Sequence, residues 1–291
     1  MIVLMRWLAR WPLPRLHALG AVLGWLTWAL SPTYRRRLRA HADLAGLSPA
    51  QRRASVAEAG RMVAEVPWLW LNDRPLADQM AWQGAEHLEA ALASGHGTLL
   101  LTPHLGSFEI AARVLTERYG RQQPLTVLYR PARQAWLREM EETSRHRPGL
   151  NTAPANLGGV RQMLRALRRG EMVGLLPDQV PPAGQGVWAP FFGRPAYTMT
   201  LANRLLQQTG ASALVVWCER LPQGRGHAMH VQPLAGVLPD AADNSPAAQA
   251  AAAQCINQAM EQVILKLPSQ YLWSYHRYKK PRDQPAPEGA A

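Results

Sequence analysis

The sequence predicts a single α/β domain with a largely parallel central sheet flanked by helices, plus an N-terminal membrane-associated helix. Two observations predict the sheet: short apolar runs alternate with helical stretches, and each interval is long enough for a crossover helix. The basic, tryptophan-rich start predicts the membrane helix. We expect three segments: an anchor at 1–42, a folded domain at 43–280 and a flexible tail at 281–291.

The first 42 residues contain seven arginines and no acidic residue. The arginines flank an apolar run, and four tryptophans lie among them. The run within 16–30 has one strongly polar group, His17, and is shorter than the roughly 20 residues that span a bilayer. Tryptophan prefers the membrane interface and arginine prefers anionic headgroups. We expect either a helix that lies on the membrane or a short, marginal transmembrane helix; the alternative is an ordinary core helix.

Periodicity assigns the remaining elements in chain order. Ser48 and Pro49 begin a helix over 48–66 as N-cap and first-turn proline, and an apolar, aromatic segment follows at 66–71. Further helices are expected at 84–94, 107–119, 133–147, 159–169, 198–209 and 246–267. Strands are expected at 98–102, 124–130, 172–176, 213–218 and 227–232. The Pro/Gly-rich segment 181–195 is predicted to be a loop.

The net charge of +12 indicates an anionic partner: nucleic acid, an anionic membrane, an acidic protein or a phosphorylated substrate. No nucleic-acid-binding motif is visible, and basic residues are concentrated beside an apolar segment, so we expect no nucleic acid partner. Cys218 and Cys255 lack metal-ligand spacing. We expect both to be buried and reduced in a cytosol-facing protein, and we expect no metal or other cofactor.

A histidine follows the apolar run at 98–102, at the point where a strand turns into a helix. His104 is followed by Gly106 and Ser107 and then by Glu109. Neutral imidazole accepts a proton near neutral pH, and a carboxylate can hold its tautomer and stabilise the imidazolium. No G-x-S-x-G nucleophile elbow is present. This pattern predicts a base that activates a hydroxyl group of the substrate, with the first N–H groups of the helix near Gly106–Phe108 as oxyanion donors.

Three further loops are expected at the same edge of the sheet as His104. Arg130 lies at the end of a strand and suits a phosphate or carboxylate, with a surface ion pair as its alternative. Asp178 and Gln179 follow another strand; the carboxylate orients an arginine, binds a substrate hydroxyl or caps a turn. The aromatic loop around Phe192 either lines a lipid groove or is stapled to the core.

The tripeptide Arg145-His146-Arg147 is a charge cluster at a helix end. Such a cluster is usually a solvated face. The alternative is that it receives an anionic donor or headgroup.

Together these residues resemble the late acyltransferases of lipid A biosynthesis, the lauroyl/myristoyl-transferase group within the lysophospholipid acyltransferase superfamily. The resemblance covers nearly the whole chain. Its motifs, in order, are His104-x4-Glu109, YRP at 129–131, PDQ at 177–179, FFGRPAYT at 191–198 and WSYHRYK at 273–279. At Tyr278 the chain departs from the arginine of the family's terminal segment.

The resemblance implies that residues 43–280 transfer a fatty acyl chain from acyl carrier protein to a hydroxyl of a lipid A precursor, an anionic lipid, at the cytoplasmic face of a bacterial inner membrane. It implies His104 as general base without an acyl-enzyme, and Glu109 as its orienting carboxylate. Substrate-binding residues would be Arg130, Asp178, Gln179, Phe192, Gly193 and Thr198. The alternatives are another glycolipid or lysophospholipid acceptor, an acyl-thioester hydrolase, or a non-enzymatic membrane-binding protein.

Overall fold

The structure, a computed structural model, describes residues 2–72, 74–129, 132 and 134–282. The helices within these ranges are α1 (Ile2–Leu8), α2 (Leu13–Leu30), α3 (Pro32–Leu44), α4 (Pro49–Leu71), α5 (Ala85–Ala93), α6 (Phe108–Tyr119), α7 (Ala135–Arg145), α8 (Leu157–Arg168), α9 (Leu201–Thr209) and α10 (Pro246–Lys266). The strands are β1 (Ala81–Gln83), β2 (Thr98–Leu101), β3 (Leu125–Tyr129), β4 (Leu150–Pro154), β5 (Met172–Leu175), β6 (Gly186–Phe191), β7 (Arg194–Met199), β8 (Ser212–Arg220) and β9 (His227–Pro233).

Seven strands form one sheet in the order β1-β9-β8-β2-β5-β3-β4. Its neighbouring strands are parallel, except that β8 and β9 are antiparallel. The central strand β2 is fully buried because Leu99 and Leu101 pack into one apolar core and Leu100 packs into another on the opposite face. This arrangement confirms the predicted α/β domain with a largely parallel sheet flanked by helices.

The order of the strands determines which loops meet. Strands β2 and β5 run side by side, with Leu101 opposite Leu175. The loops that carry residues 104 and 178 therefore leave the same edge of the sheet, where sites of parallel α/β proteins form. Strand β3 lies on the other side of β5, so its last residue, Tyr129, lies at that edge as well.

The predicted loop at 181–195 is wrong: much of it forms an antiparallel hairpin of β6 and β7. Phe192 and Gly193 connect the two strands, and both have positive φ, of 47° and 74°. Two consecutive left-handed residues match the right-handed strand twist in a tight hairpin. The prolines predicted a loop, but proline is tolerated in edge strands. Pro190 and Pro195 face each other in this two-stranded ribbon.

Other differences from the predicted elements are local. Strands β1 and β4 were not predicted; they lie at the two edges of the sheet, and β4 is largely exposed. Helix α4 continues through the aromatic segment 66–71, with Pro67 inside it. A proline in a helix interior removes a backbone hydrogen bond and therefore predicts a helix end. Here the packing of Leu69 into the core outweighs that cost.

Helix α2 packs against α4 through glycines. A Cβ atom on Gly60 of α4 would lie 1.9 Å from the carbonyl oxygen of Gly20, and one on Gly24 would lie 2.3 Å from that of Val56. The two backbones are therefore in direct contact, which small residues alone permit. The N-terminal segment is thus integrated with the rest of the fold through α4.

The opposite face of α2 is apolar and exposed. Val22, Leu26 and Leu30 are 64%, 51% and 73% exposed, respectively. Large exposed apolar side chains on one contiguous face are typical of an interaction surface. Within the described residues, no helix has both the length and the apolarity needed to cross a membrane.

Candidate active site

The loop from His104 to Ser107 is held by the backbone of neighbouring segments. The N–H of Gly106 donates to the carbonyl oxygen of Gln270 at 3.0 Å, and that of Ser107 donates to Cys218 at 2.8 Å. Gly106 has a φ of 61°, and a Cβ atom there would lie 2.0 Å from the Cys218 oxygen. The glycine is required because the loop runs against β8, and this contact fixes where His104 leaves the sheet.

A buried ion cluster supports the same loop from behind. Arg220, at the end of β8, donates to the carbonyl oxygen of Gly106 at 3.1 Å and makes a bidentate pair with Glu65 of α4. The Nε2 atoms of His17 and His227 lie 3.1 and 3.2 Å from the same carboxylate. Burial acts to raise the pKa of Glu65, but Arg220 and the two histidines hold it well below its usual range. The cluster therefore stays charged and links α2 and α4 to the active-site loop.

Asp178 is the carboxylate that contacts His104. Its Oδ1 lies 2.8 Å from His104 Nδ1, and its Oδ2 accepts from the His104 backbone N–H at 2.9 Å. Asp178 is 2% exposed. Burial acts to raise its pKa, but the charge and hydrogen bonds of His104 hold the pKa below its usual value. An ionised Asp178 keeps the proton of His104 on Nδ1 and leaves Nε2 as the proton acceptor.

The other ring nitrogen of His104 faces Gln179. The amide nitrogen of Gln179 lies 2.9 Å from His104 Nε2, where it can donate to the lone pair. The ring of Phe108 packs beside the imidazole, with 4.7 Å between centroids. A hydroxyl group that takes the place of the Gln179 amide would lie at hydrogen-bond distance from the basic nitrogen.

The predicted pairing of His104 with Glu109 is not found. The Glu109 carboxylate accepts from Trp70 Nε1 at 3.4 Å and lies 3.6 Å from a guanidinium nitrogen of Arg145. Glu109 is the second residue of α6, so its direction is set by the helix, whereas His104 belongs to the preceding loop. The helix turns this side chain towards α4 and α7, and Asp178 takes the position beside the imidazole.

Two of the predicted oxyanion donors are already used. The N–H groups of Gly106 and Ser107 are bonded to carbonyl oxygens of neighbouring segments. The next two N–H groups, of Phe108 and Glu109, belong to the first turn of α6, where backbone donors have no partner within the helix. These two are the groups at this loop that remain suited to an oxyanion.

The remaining predicted substrate residues lie in different environments. Arg130 lies outside the described residues. Phe192 and Gly193 form the hairpin turn, where the Phe192 ring packs against Trp273. Thr198 is completely buried, and its hydroxyl accepts from Arg277 at 2.7 Å. The Thr198 side chain has no surface for a substrate contact in this structure and instead holds Arg277.

Arg277 and Tyr271 belong to the site although no local pattern identified them. Arg277 is buried, and its charge contributes to the low pKa of Asp178. Burial and the neighbouring Asp178 raise the pKa of Tyr271 well above its usual value, so its hydroxyl stays neutral. Arg277 lies in the 273–279 motif, and Tyr271 lies just before it. This motif comes from the resemblance and not from a chemical pattern, and it was the one available signal.

The nucleophilic side chains near the site are poorly placed for covalent catalysis. Both cysteines are free and buried, as predicted. Burial raises the pKa of the Cys218 thiol well above its usual range, so it stays protonated. Within the part of the chain that the structure describes, the buried Ser107 hydroxyl has no hydrogen-bond partner, and the contacts of the His104 ring nitrogens are to Asp178 and Gln179.

The chain is similar to known proteins along most of its length. It is 28% identical over 279 residues to the lipid A biosynthesis lauroyltransferase of Escherichia coli (strain K12), which covers 92% of this chain and 86% of that protein. It is 27% identical over 213 residues to the lipid A biosynthesis palmitoleoyltransferase of the same organism, covering 73% and 65%. A phosphatidylinositol mannoside acyltransferase of Mycobacterium tuberculosis (strain ATCC 25618 / H37Rv) is 31% identical over 187 residues, covering 62% and 57%.

The family model of bacterial lipid A biosynthesis acyltransferases matches residues 1–280. This range contains every element of the sheet and the loops that bring His104, Asp178 and Gln179 together. The chain therefore belongs to the bacterial lipid A biosynthesis acyltransferase family and is an acyltransferase.

Proposed function

We propose that the protein transfers a fatty acyl chain from the thioester of acyl carrier protein to a hydroxyl group of a lipid A precursor, with His104 as general base and without an acyl-enzyme. The observation that carries this proposal is the hydrogen bond between His104 Nδ1 and the buried Asp178, at 2.8 Å. It leaves Nε2 with a lone pair that faces the Gln179 amide. The family membership supports acyl transfer in lipid A biosynthesis.

In the proposed reaction the acceptor hydroxyl displaces the Gln179 amide from His104 Nε2. The hydroxyl proton moves to Nε2 as the oxygen attacks the thioester carbon. Asp178 stabilises the resulting imidazolium, and the N–H groups of Phe108 and Glu109 bind the oxyanion. The carbon–sulfur bond then breaks, and the leaving thiolate takes the proton back from His104. Water is neither consumed nor released.

The choice of an acidic carrier protein as donor rests on charge. The net charge of +12 attracts an acidic partner and accelerates its approach at low ionic strength. Coenzyme A also carries negative charge, so the comparison of the two donors is part of the functional test.

The functional test is product analysis with purified protein. The fatty acyl thioester of acyl carrier protein or of coenzyme A is supplied with and without a lipid A precursor. The products are identified by mass spectrometry. We expect the precursor to gain the mass of one acyl chain, and we expect a lower KM for the carrier protein thioester. Release of free fatty acid at the same rate with and without the precursor would instead identify a thioester hydrolase.

A different glycolipid acceptor is the second candidate. The similarity to a phosphatidylinositol mannoside acyltransferase supports it, because that relative is named for a different glycolipid acceptor. Addition of a phosphatidylinositol mannoside to the same assay, in competition with the lipid A precursor, decides between the two acceptors.

We also propose that the protein docks on the cytoplasmic face of the inner membrane through the exposed apolar face of α2. Because burial of a leucine side chain stabilises by about 1.5–3 kcal/mol, Leu26→Ser should weaken vesicle binding about tenfold or more. The measurement is co-sedimentation with vesicles of phosphatidylethanolamine and phosphatidylglycerol. Val237→Ser is the control, because Val237 is 93% exposed on the loop between β9 and α10. Equal binding by both variants and the original protein would contradict this docking face.

A further inference from the structure

The tripeptide Arg145-His146-Arg147 lies where three cavities meet. These cavities have volumes of about 100, 700 and 1170 Å³. Arg147 lines all three, Arg145 lines the two smaller ones, and His146 lines the two larger ones. The cluster is therefore not simply a solvated helix end, because its side chains line three concave surfaces.

The largest cavity is a groove between the N-terminal segment and the end of α4, and we call it the arginine groove. Its cationic lining residues are Arg6, Arg10, Arg74 and Arg147, together with His146. Its aromatic lining residues are Trp11, Trp68 and Trp70. Among the described residues that line it, none is acidic. Arginine binds phosphate in a bidentate geometry, and indole rings pack against apolar faces of bound groups.

The arginine groove leads towards the catalytic base. The cavity of about 100 Å³ shares Trp70 and Arg147 with the groove and is also lined by Phe108. The Phe108 ring lies 4.7 Å from the His104 ring, centroid to centroid. A molecule with an anionic group in the groove can therefore extend towards the nitrogen that accepts the hydroxyl proton.

The ion pair between Glu109 and Arg145 lies in the smallest of the three cavities. Both residues line the cavity of about 100 Å³, and the Arg145 guanidinium also lies 4.4 Å from the Tyr129 ring centroid. Glu109 and Tyr129 therefore hold Arg145 in the wall of this small cavity. This contact gives Glu109 a positioning function at the substrate site, separate from the tautomer of His104.

The groove also borders an apolar surface. The exposed side chains of α1 include Val3, Leu4 and Trp7, and the groove residues Arg6 and Arg10 belong to the same short segment. Acyl chains that remain in a membrane can lie against this apolar side while a charged headgroup enters the groove. A soluble phosphate compound would make no use of such a surface, so the combination favours a lipid.

We propose that the arginine groove binds a phosphate group on the sugar headgroup of the lipid acceptor. This inference rests on the proposed function, because it assumes that the acceptor is a glycolipid. Guanidinium groups bind the phosphate, and the tryptophan rings contact the sugar. Binding in the groove places a hydroxyl group of the same headgroup at His104.

The test measures equilibrium binding of a synthetic disaccharide glycolipid, with and without its phosphate, in micelles of an uncharged detergent and without acyl donor. The variants are Arg10→Gln and Arg147→Gln, and the control is Arg168→Gln at the exposed end of α8. The original protein and the control should bind the phosphorylated lipid at least about tenfold more tightly than the unphosphorylated lipid. Both groove variants should lose this preference while their melting temperatures stay unchanged.

Kinetics provide the second measurement. In the groove variants the KM for the phosphorylated acceptor should rise about tenfold, with kcat and the KM for the donor unchanged. Equal binding of both lipids by the original protein, equal losses for both lipids in the variants, or a rise in the donor KM alone would overturn the inference. Preferential binding of the phosphorylated lipid without any acyl transfer would contradict the proposed function and leave the groove assignment intact. Acyl transfer without a preference for the phosphorylated lipid would contradict the groove assignment and leave the proposed function intact.

Discussion

Replacement of His104 by alanine is expected to lower kcat for acyl transfer by roughly 10²–10⁴-fold, the usual contribution of a general base. Because the hydroxyl proton loses its acceptor, the effect should appear in kcat and leave the KM values of donor and acceptor nearly unchanged. The measurement is steady-state transfer to the lipid acceptor, with the fold checked by circular dichroism and thermal unfolding.

The matched control is His96→Ala, which removes an exposed imidazole from the loop before β2. We expect it to retain full activity. The His104 side chain is only 14% exposed, so the fold of the variant must be checked before its rates are compared. A well-folded His104→Ala protein with near-normal transfer would exclude His104 as the base.

Replacement of Asp178 by asparagine should lower kcat nearly as much as the His104→Ala change does, by roughly 10²–10⁴-fold. The asparagine oxygen can still accept from the His104 backbone N–H, but its amide nitrogen then faces Nδ1 as a donor. This arrangement favours the tautomer with the proton on Nε2, which cannot accept a proton from a hydroxyl group. In a serine protease triad the corresponding change costs about 10⁴-fold for the same reason.

Glu109→Gln is the comparison that distinguishes the two carboxylates. Because Glu109 contacts Trp70 and Arg145, its replacement should mainly raise the KM for the acceptor and change kcat little. Both variants are measured with the same donor and acceptor. If Glu109→Gln lowers kcat strongly and leaves KM unchanged while Asp178→Asn keeps near-normal kcat, the His104–Asp178 pair is not the functional one.

The pH dependence adds an independent check. The pKa of Asp178 lies below its ordinary value of 3.8, so Asp178 stays ionised as pH falls through the range in which imidazole usually titrates. The dependence of activity on pH should therefore be the same in Glu109→Gln as in the original protein. Stability contributed by the Asp178 carboxylate should be lost only in strongly acidic solution, below the ordinary pKa of an aspartate.

Local sequence patterns predicted much of the frame that carries the site. The apolar run that forms β2 and the helix that begins at Phe108 are strong periodic signals, and they place His104 at a strand end. Asp178 and Gln179 were also expected at the same edge of the sheet. Parallel α/β topology explains this success, because it brings the carboxyl ends of separate strands together.

The sequence alone did not determine which carboxylate contacts His104. Glu109 is five residues away and Asp178 is 74 residues away, so proximity along the chain favoured the wrong partner. Two other features also depend on contacts between distant parts of the chain. In the hairpin at Phe192–Gly193, Glu261 accepts from the Phe192 N–H at 2.7 Å. In the packing of α2 on α4, Gly60 lies against Gly20.

By itself, the sequence determined the α/β class, most helices and strands, and the position of a histidine at the end of β2, because the 3.6-residue and two-residue periods are local properties of the chain. The tertiary structure decided that Asp178 is the carboxylate that contacts His104, that Glu109 contacts Arg145, and that three cavities share lining residues at the end of α7. The physical reason is the order of the strands: β5 lies beside β2, so its following loop reaches the imidazole first, while α6 turns Glu109 away from it.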